Sequence, residues 1–552
     1  MPAHAIAATP SAYGFPLLIK QLLLTPLATN PAQEIVYAER HRYTYAAFSR
    51  RIARLAHTLT ALGVHGGDTV AVMDWDSHRY LECFFAVPML GAVLQTVNVR
   101  LSPEQITYTL NHARTDVVLV NAEFLEVLAR IRPALTTVRT FVLLSDADSA
   151  LPAGFAGEYE ALLAASPEQY DFPDFDENAR ATTFYTTGTT GVPKGVYFSH
   201  RQLVLHTLAL TGALALAPHQ GGFHRDDVYM PLTPMFHVHA WGLPYVATLA
   251  GVKQVYPGRY LPETILKLIE RERVTFSHCV PVILQMLLAA PSSAQVDLSH
   301  WKVVIGGSAL PSALAQAALQ RGIDVFAGYG MSETGPVLTL AQQTPDAAAD
   351  AAQDVATRIL AGRPIPLVDL RAVDAEMRTL PRDGAMGEVV VRAPWLTPGY
   401  VDNAEASEKL WDGGWLHTQD VGHIDERGYL HITDRLKDVI KSGGEWISSL
   451  ELEDIIGGHP AVAEVAVIGL PDREWGERPL ALIVLKPDFV GKVGVADIQS
   501  HVRAFVQEGR ISRFGVPDGI EFVDALPRTS VGKLNKRLMR ELRAGEANGR
   551  PA

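Results

Sequence analysis

The sequence predicts an α/β protein whose sheets are rich in parallel strands and covered by helices, followed by a second, smaller α/β unit. Two observations predict it. Between Thr69 and Val120 short apolar runs alternate with stretches whose apolar residues recur at helical spacing, as in parallel strands joined by covering helices. From Glu451 the alternation begins again on a smaller scale. The length agrees, because 552 residues exceed one ordinary core and imply two to four structural units.

Taken in order, Glu34 to Tyr45 reads as a strand pair leading into a helix. Thr44 is placed to cap a helix over Tyr45 to Leu62, where Phe48, Ile52, Leu55, Leu59 and Leu62 share one face. The glycines and aspartate of Gly63 to Asp68 end it. Strand Thr69 to Met73, helix Tyr80 to Leu90, strand Val93 to Val97, helix Pro103 to Ala113 and strand Val117 to Val120 follow. Ser199-His-Arg-Gln202 opens a helix that runs to about Ala217. In the C-terminal unit a helix over Glu451 to Ile456 precedes strands Val462 to Leu470 and Leu480 to Lys486. A helix over Val495 to Glu508 and a strand near Gly519 to Val523 complete it.

Composition narrows the function. Hydrophobic residues at 48% and charged residues at 20% describe a soluble globular chain. A net charge of −12 argues against a nucleic-acid binder or a broadly basic membrane surface, and leaves a local nucleotide site open. Cys83 and Cys279 are the only cysteines, both in apolar runs, so no disulfide framework is expected and a cytoplasmic enzyme fits. The start lacks the basic opening and long apolar core of a secretory signal. No run reaches the roughly 18 apolar residues of a membrane span, so any membrane contact is expected to be peripheral.

The most informative stretch is Tyr185 to Gly195, YTTGTTGVPKG, which follows the strand-like Ala181-Thr-Thr-Phe-Tyr185. Gly188, Gly191 and Gly195 let backbone approach a bulky anion where a Cβ would collide. Thr186, Thr187, Thr189 and Thr190 supply hydroxyls, and Lys194 a mobile cation. A Walker loop is excluded, because Lys194 is followed by Gly195 rather than Ser or Thr. A plain Gly/Thr surface turn would read the same in isolation. Read whole, the stretch resembles the phosphate loop of the adenylate-forming superfamily: acyl-CoA synthetases, luciferases and the adenylation domains of peptide synthetases. Matching motifs run in the same order from about Tyr43 to Lys533.

PMFHVHAWGLPY resembles the superfamily's aromatic-histidine motif beside the acyl pocket, which the resemblance assigns to His237, Val238 and Trp241. Trp241 matches a tryptophan described in bacterial long-chain fatty acyl-CoA synthetases as a gate swung aside when ATP binds. The family pattern has Asn where this chain has His239. No Cys or carboxylate at ligand spacing accompanies His237 and His239, so a zinc site is not expected. VVIGGSALP resembles the segment that receives adenine, carried here to Gly306, Gly307, Ser308 and Ala309. In GYGMSET, a near letter-for-letter match from Gly328 to Thr334, the resemblance gives Gly328, Gly330 and Met331 to the nucleotide. Tyr329 then stacks on adenine, Ser332 meets phosphate, and Glu333 is a hard oxygen ligand for Mg²⁺ together with Thr186.

Further on, WLHTQDVG places Asp420 as the acceptor of both ribose hydroxyls. DRLKDVIKSGGEWIS resembles the segment in which Arg435 touches ribose and phosphate and Lys437 is the hinge. Lys441 and Trp446 match adenylate contacts of the fatty-acyl branch. The Ser442-Gly443-Gly444 run permits the backbone change of a mobile linker in the CoA phase. PRTSVGKLNK ends on the motif whose lysine is catalytic, here Lys533.

The resemblance therefore implies a large N-terminal body with a β-barrel-like part over 1–435, a hinge at 436–441 and a small mobile C-terminal lid over 442–552. It implies Lys533, Glu333 and Lys194 as catalytic residues, Mg²⁺ as cofactor, and ATP and CoA as co-substrates. The implied activity is an AMP-forming fatty acid–CoA ligase for a medium- or long-chain acid, cytoplasmic, with no nucleic-acid partner, and the fatty-acyl branch suggests a homodimer. The alternatives are an aromatic or short, branched acid, an acyl-AMP ligase feeding a carrier protein, and a non-enzymatic acyl-nucleotide sensor. The roughly 20 residues after Lys533 are too few for a carrier domain, which counts against a peptide-synthetase module.

Overall fold

The computed structural model describes residues 6–147, 149–186, 192–217, 220–344, 351–443, 445–529 and 533–547. Among them the strands form four sheets. The first has seven strands in the spatial order Gly157–Glu158, Thr140–Leu144, Val117–Asn121, Thr69–Met73, Val93–Thr96, Arg180–Tyr185 and Gly195–Ser199. Its neighbours are parallel except the last pair, where the chain turns back through the expected phosphate loop. Thr69–Met73 is buried at every position, as a parallel strand covered on both faces requires.

A nine-stranded sheet lies beside it, in the order Arg363–Pro364, Val337–Leu340, Asp324–Gly330, Lys302–Ile305, Phe276–Cys279, Val228–Leu232, Lys253–Tyr256, Glu34–Tyr37 and His41–Thr44. Its middle is parallel and its margins antiparallel. The helix His78–Met89 touches strands of both sheets, and all its residues are buried. That explains why its apolar residues are not confined to one stripe, and why its charged residues Arg79 and Glu82 are buried with ion-pair partners. The part expected to be barrel-like is a four-stranded antiparallel sheet, Asp369–Val373, Gly387–Arg392, Leu416–Ile424 and Leu430–Arg435.

The local rules acted as read. Thr44 accepts from the Ala47 N–H at the start of helix Tyr45–Ala61, and Ser199 with Gln202 closes a capping box on helix His200–Ala215. In the C-terminal unit Glu445–Ile447, Ile440–Ser442, Gly476–Leu485 and Val462–Asp472 pair in that order, with Gly519–Phe522 alongside Gly476–Leu485. Ile440 and Lys441 thus belong to the small sheet, leaving 436–439 between it and Leu430–Arg435. A further helix, Lys536–Ala547, follows the last motif. At its start Lys536 pairs with Glu453 at 2.8 Å and donates to Ser449 Oγ at 2.6 Å. The Ser449 N–H donates in turn to Asp434 at 2.7 Å, which ties the small unit to the end of the four-stranded sheet.

One buried charge staples the helices against the first sheet. Glu82, without exposed side-chain surface, accepts from Arg51 Nε at 2.6 Å and from the Tyr159 hydroxyl at 2.6 Å. Removing Glu82 leaves half-buried Arg51 paired with Glu160 alone, at 2.8 Å, and takes the acceptor from the Tyr159 hydroxyl. Glu82→Ala is therefore expected to destabilise the body by about 1–3 kcal/mol. The double variant Arg51→Met/Glu82→Met is expected to lose less than this single change, measured as the shift in thermal unfolding midpoint.

Candidate active site

The hairpin that carries the phosphate-loop sequence is closed by the Thr186 N–H donating to the Lys194 carbonyl at 2.9 Å. Thr187, Gly188, Thr189, Thr190 and Gly191 lie outside the described residues. Half-buried Lys194 places its ammonium 4.6 Å from the centre of the Tyr400 ring. The Tyr400 hydroxyl donates to Glu333 Oε1 at 2.7 Å, so Tyr400 joins two residues that the sequence had assigned to one site. Sequence reasoning missed Tyr400. The available signal was the Thr397-Pro-Gly-Tyr400 turn, whose following residue, Val401, donates its N–H to the Gly195 carbonyl at 2.9 Å.

Glu333 sits in a short 3-10 turn, Ser332–Thr334, and is buried. Only its Oε1 is engaged by a side chain among the described residues, which leaves Oε2 for another partner. A carboxylate oxygen of this kind is a hard donor that would suit Mg²⁺ if substrate phosphates completed its shell.

A second cluster forms across the body. Tyr329 donates its hydroxyl to Asp420 Oδ2 at 2.7 Å, and Arg435 Nε lies 3.2 Å from Asp420 Oδ1. Asp420 and Arg435 are direct partners in the antiparallel ladder, so the pair is fixed by strand register. Burial pushes the Asp420 carboxyl above its ordinary range, against Arg435, Tyr329 and Lys533. Lys533 comes from the small unit, on a turn where the Thr529 N–H donates to the Lys533 carbonyl at 2.7 Å. Burial and the nearby Arg435 push its ammonium down to about 8, while Asp420 and Glu333 act in the opposite sense. A Cβ on Gly307, which has φ +79°, would lie 3.3 Å from Lys533 Cε.

Between the clusters lies a narrow cavity of about 40 Å³, faced by Lys533, His237, Val238, Trp241, Gly306, Gly307 and the Gly328 to Ser332 stretch. Ser308 and Ala309 are exposed and stand apart from this lining. Gly330 is required sterically, since a Cβ there would sit 1.7 Å from the Pro336 carbonyl oxygen. Gly306 faces the Trp241 ring, which a Cβ would approach to 2.9 Å. The indole also packs 5.0 Å from the His278 ring.

The backbone that presents Trp241 is unusual. Val238, His239, Ala240 and Trp241 all have φ between +48° and +58°, a left-handed turn made without glycine. Each such residue costs about 1–2 kcal/mol relative to the right-handed form. His239, where the family pattern has Asn, is fully buried among Phe84, Phe184, Phe198 and Tyr245, and neither ring nitrogen has a hydrogen-bond partner. It packs as a core aromatic, with burial pushing it down to about 3. His237 is also pushed down to about 3, by burial together with Lys533 and Arg100.

The remaining expected residues lie away from the cavity lining. Lys437 sits in the connection after Arg435, its ammonium lowered by burial and by Arg435, Arg540 and Arg537. Lys441 pairs through its backbone with Trp446 in the hairpin Ile440–Ser442 to Glu445–Ile447. Ser442 and Gly443 occupy the end of that hairpin, and Gly444 lies outside the described residues. Ser442 accepts from Arg478 at 3.0 Å, and Gly443, at φ +60°, abuts the Phe514 ring.

Known proteins with this organisation are numerous. The AMP-binding enzyme family matches residues 25–401, and its C-terminal domain matches residues 451–533. The long-chain-fatty-acid–CoA ligase of Thermus thermophilus is 42% identical, over 91% of this chain and 90% of its own. The 3-methylmercaptopropionyl-CoA ligase of Ruegeria pomeroyi is 40% identical, over 90% and 91%. Among solved structures, the anthranilate CoA ligase AuaEII in complex with anthranoyl-AMP superposes with a TM-score of 0.83 at 26% identity, covering 96% of this chain and 99% of that one. With both family profiles in order and relatives of this similarity along nearly the whole length, the chain belongs to the AMP-binding enzyme family.

Proposed function

We propose that the protein is an ATP-dependent fatty acyl-CoA synthetase, joining a medium- or long-chain fatty acid to CoA through an acyl-adenylate and releasing AMP and pyrophosphate. The observation that carries this reading is that Lys533, from the small unit, lies against Gly307 and faces the same cavity as Tyr329, whose hydroxyl is bonded to Asp420. The 42% identical Thermus relative, named as a long-chain ligase, supports the acid class.

A carboxylate is a poor nucleophile with a worse leaving group, and ATP removes both difficulties. The acid oxygen attacks the α-phosphate, the bond to the β-phosphate breaks, and pyrophosphate leaves. Negative charge grows on the phosphoryl oxygens, and fixed cations there lower the barrier. Lys533 meets the α-phosphate, Lys194 and the Thr186 to Gly191 loop meet the outer phosphates, and Tyr329 and Asp420 hold adenosine. Glu333 and Thr186 would hold Mg²⁺, which would supply further charge neutralisation. The small unit, bounded by a hinge near 436–441, then turns about Lys437 and withdraws Lys533. The adenylate becomes accessible to the CoA thiol, whose sulfur attacks the acyl carbon as AMP departs. Ligand pockets usually measure hundreds of Å³, so in this reading the cavity of about 40 Å³ widens to take its substrates, and Trp241 is the largest side chain facing it.

The same reading makes the protein cytoplasmic, with at most peripheral membrane contact, and a homodimer, which light scattering tests. Among the described residues no helix is long and apolar enough to cross a membrane. A second reading, a shorter acid, is favoured by the 40% identical relative named for 3-methylmercaptopropionyl-CoA. AMP release with ATP and Mg²⁺, across fatty acids of rising length plus 3-methylmercaptopropionate and benzoate, separates the two. A CoA-dependent maximum at a medium or long chain is expected. Pyrophosphate release indifferent to CoA would indicate a carrier-protein acceptor, and silence across the panel would favour a sensor.

Two further outcomes follow from Lys533. Lys533→Ala is expected to slow adenylation by at least about 10²-fold, the loss typical of a removed transition-state donor. Thioester formation from supplied acyl-AMP is expected to persist, so equal loss of both half-reactions would refute the two-position scheme. The second outcome concerns pH. Only the protonated ammonium stabilises the phosphoryl charge, and its proton is lost as pH rises through about 8. The kcat/KM for ATP is therefore expected to fall above that pH, with the limb in kcat shifted upward because bound phosphates favour the cation. In Lys533→Arg the limb disappears from the accessible range.

A further inference from the structure

Two buried hydrogen bonds hold the segment that leads into Trp241, and both come from the other sheet. Asp76 follows strand Thr69–Met73 of the seven-stranded sheet, and its Oδ1 accepts from the Met235 N–H at 2.8 Å. Thr96, at the end of strand Val93–Thr96 in the same sheet, donates its hydroxyl to the Phe236 carbonyl at 3.0 Å. Met235 and Phe236 belong to the connection that leaves Val228–Leu232 of the nine-stranded sheet. The next residue is His237, and the left-handed turn Val238 to Trp241 begins immediately after it. Asp76 is itself fixed: Tyr260 donates its hydroxyl to Oδ2 at 2.5 Å, and the Gly258 N–H donates to the Asp76 carbonyl at 2.9 Å.

A left-handed run of residues with side chains unwinds unless contacts at its ends oppose it. On the downstream side Trp241 bears on Gly306 and His278. On the upstream side the buried inter-sheet hydrogen bonds are those of Asp76 and Thr96, with the Arg100 guanidinium over the Phe236 ring at 5.9 Å. Neither Asp76 nor Thr96 lines the cavity.

We propose that Asp76 is a positioning residue for the gate: with Thr96 it fixes Met235 and Phe236, so that the turn bearing His237 and Trp241 keeps the geometry that admits and orients the acid. This deepens the proposed function and rests on its assignment of Trp241 to the boundary between nucleotide and acyl sides. A residue that merely stapled the sheets would change stability and every kinetic constant together. A positioning residue splits them.

The test compares Asp76→Ala, Asp76→Asn and Thr96→Val in pyrophosphate release, with acid and ATP varied separately. In Asp76→Ala the KM for the fatty acid is expected to rise about tenfold, the size of one charge-assisted hydrogen bond, with the KM for ATP moving less than about twofold. Asp76→Asn keeps an acceptor for the Met235 N–H and is expected to recover most of the loss. Thr96→Val, nearly isosteric, is expected to shift the acid KM in the same direction. Should Asp76→Ala fail to fold, Thr96→Val decides. An unchanged acid KM in the folded variants, or an equal rise for acid and ATP, overturns the proposal. A readout independent of activity separates this failure from failure of the functional reading. The acrylamide quenching of Trp241, taken as the difference from Trp241→Phe backgrounds, is expected to increase in Asp76→Ala and not in Asp76→Asn. If the unsubstituted protein turns over no acid while this difference persists, the functional reading falls and the positioning role stands. If the quenching is the same in all variants, the positioning role falls.

Discussion

A lysine taken out of water keeps its charge only where anions offset the lost hydration. Lys533 leaves the small unit to enter such a place, with Asp420 and Glu333 favouring its proton and Arg435 opposing it. The surrounding structure serves to keep those carboxylates in position. Tyr329 holds one oxygen of Asp420, strand register fixes Arg435 against the other, and Tyr400 holds Glu333. Segments far apart in the chain converge because each supplies one component of this balance. An ammonium pushed down to about 8 is still a cation at neutral pH, yet is only modestly favoured by the protein alone. In the proposed reaction the phosphates of ATP would add the missing attraction, and departure of the outer two as pyrophosphate would reduce it to the single charge of the adenylate. The same balance that seats Lys533 for the first half-reaction therefore makes its withdrawal inexpensive for the second.

The acid side rests on a different principle. Its gate is backbone held in a disfavoured form, with Trp241 at the end of a left-handed turn and His239 buried without a hydrogen-bond partner. Such an arrangement persists only where neighbouring structure over-determines it. Here two sheets do so, one carrying the turn and the other supplying Asp76 and Thr96.

Local signals in the sequence were sufficient for the strands and helices of the body. Thr44 and Ser199 cap helices as expected, and Thr69–Met73 runs over the residues read from its apolar pattern. These features depend on neighbours in the chain. Tyr400 was not legible, because its role exists only once Val401 pairs with Gly195 and brings the ring beneath Lys194. Asp76 was hidden for the same reason, since an aspartate after a strand reads as a turn residue until Met235 is seen to face it. The Ser442-Gly443-Gly444 run read as a mobile linker, and in this structure Ser442 and Gly443 end a hairpin in which the missing Cβ of Gly443 makes room for Phe514. Composition reports that a backbone can bend, and packing decides whether it bends once, in folding, or repeatedly, in function.

The two principles meet at adjacent residues. Gly306 lies against the Trp241 ring and Gly307 against the Lys533 side chain, at the end of strand Lys302–Ile305. Neither glycine has a side chain to adjust, so backbone there transmits displacement directly. A shift of Gly306 that makes way for the indole moves its bonded neighbour beneath Lys533. In the proposed reaction, admission of the acid and seating of Lys533 would then share one short piece of main chain, at the end of strand Lys302–Ile305. That sharing gives a physical reason for the order of events in the proposed reaction: the lysine settles fully only over a strand end whose position already reflects an open gate.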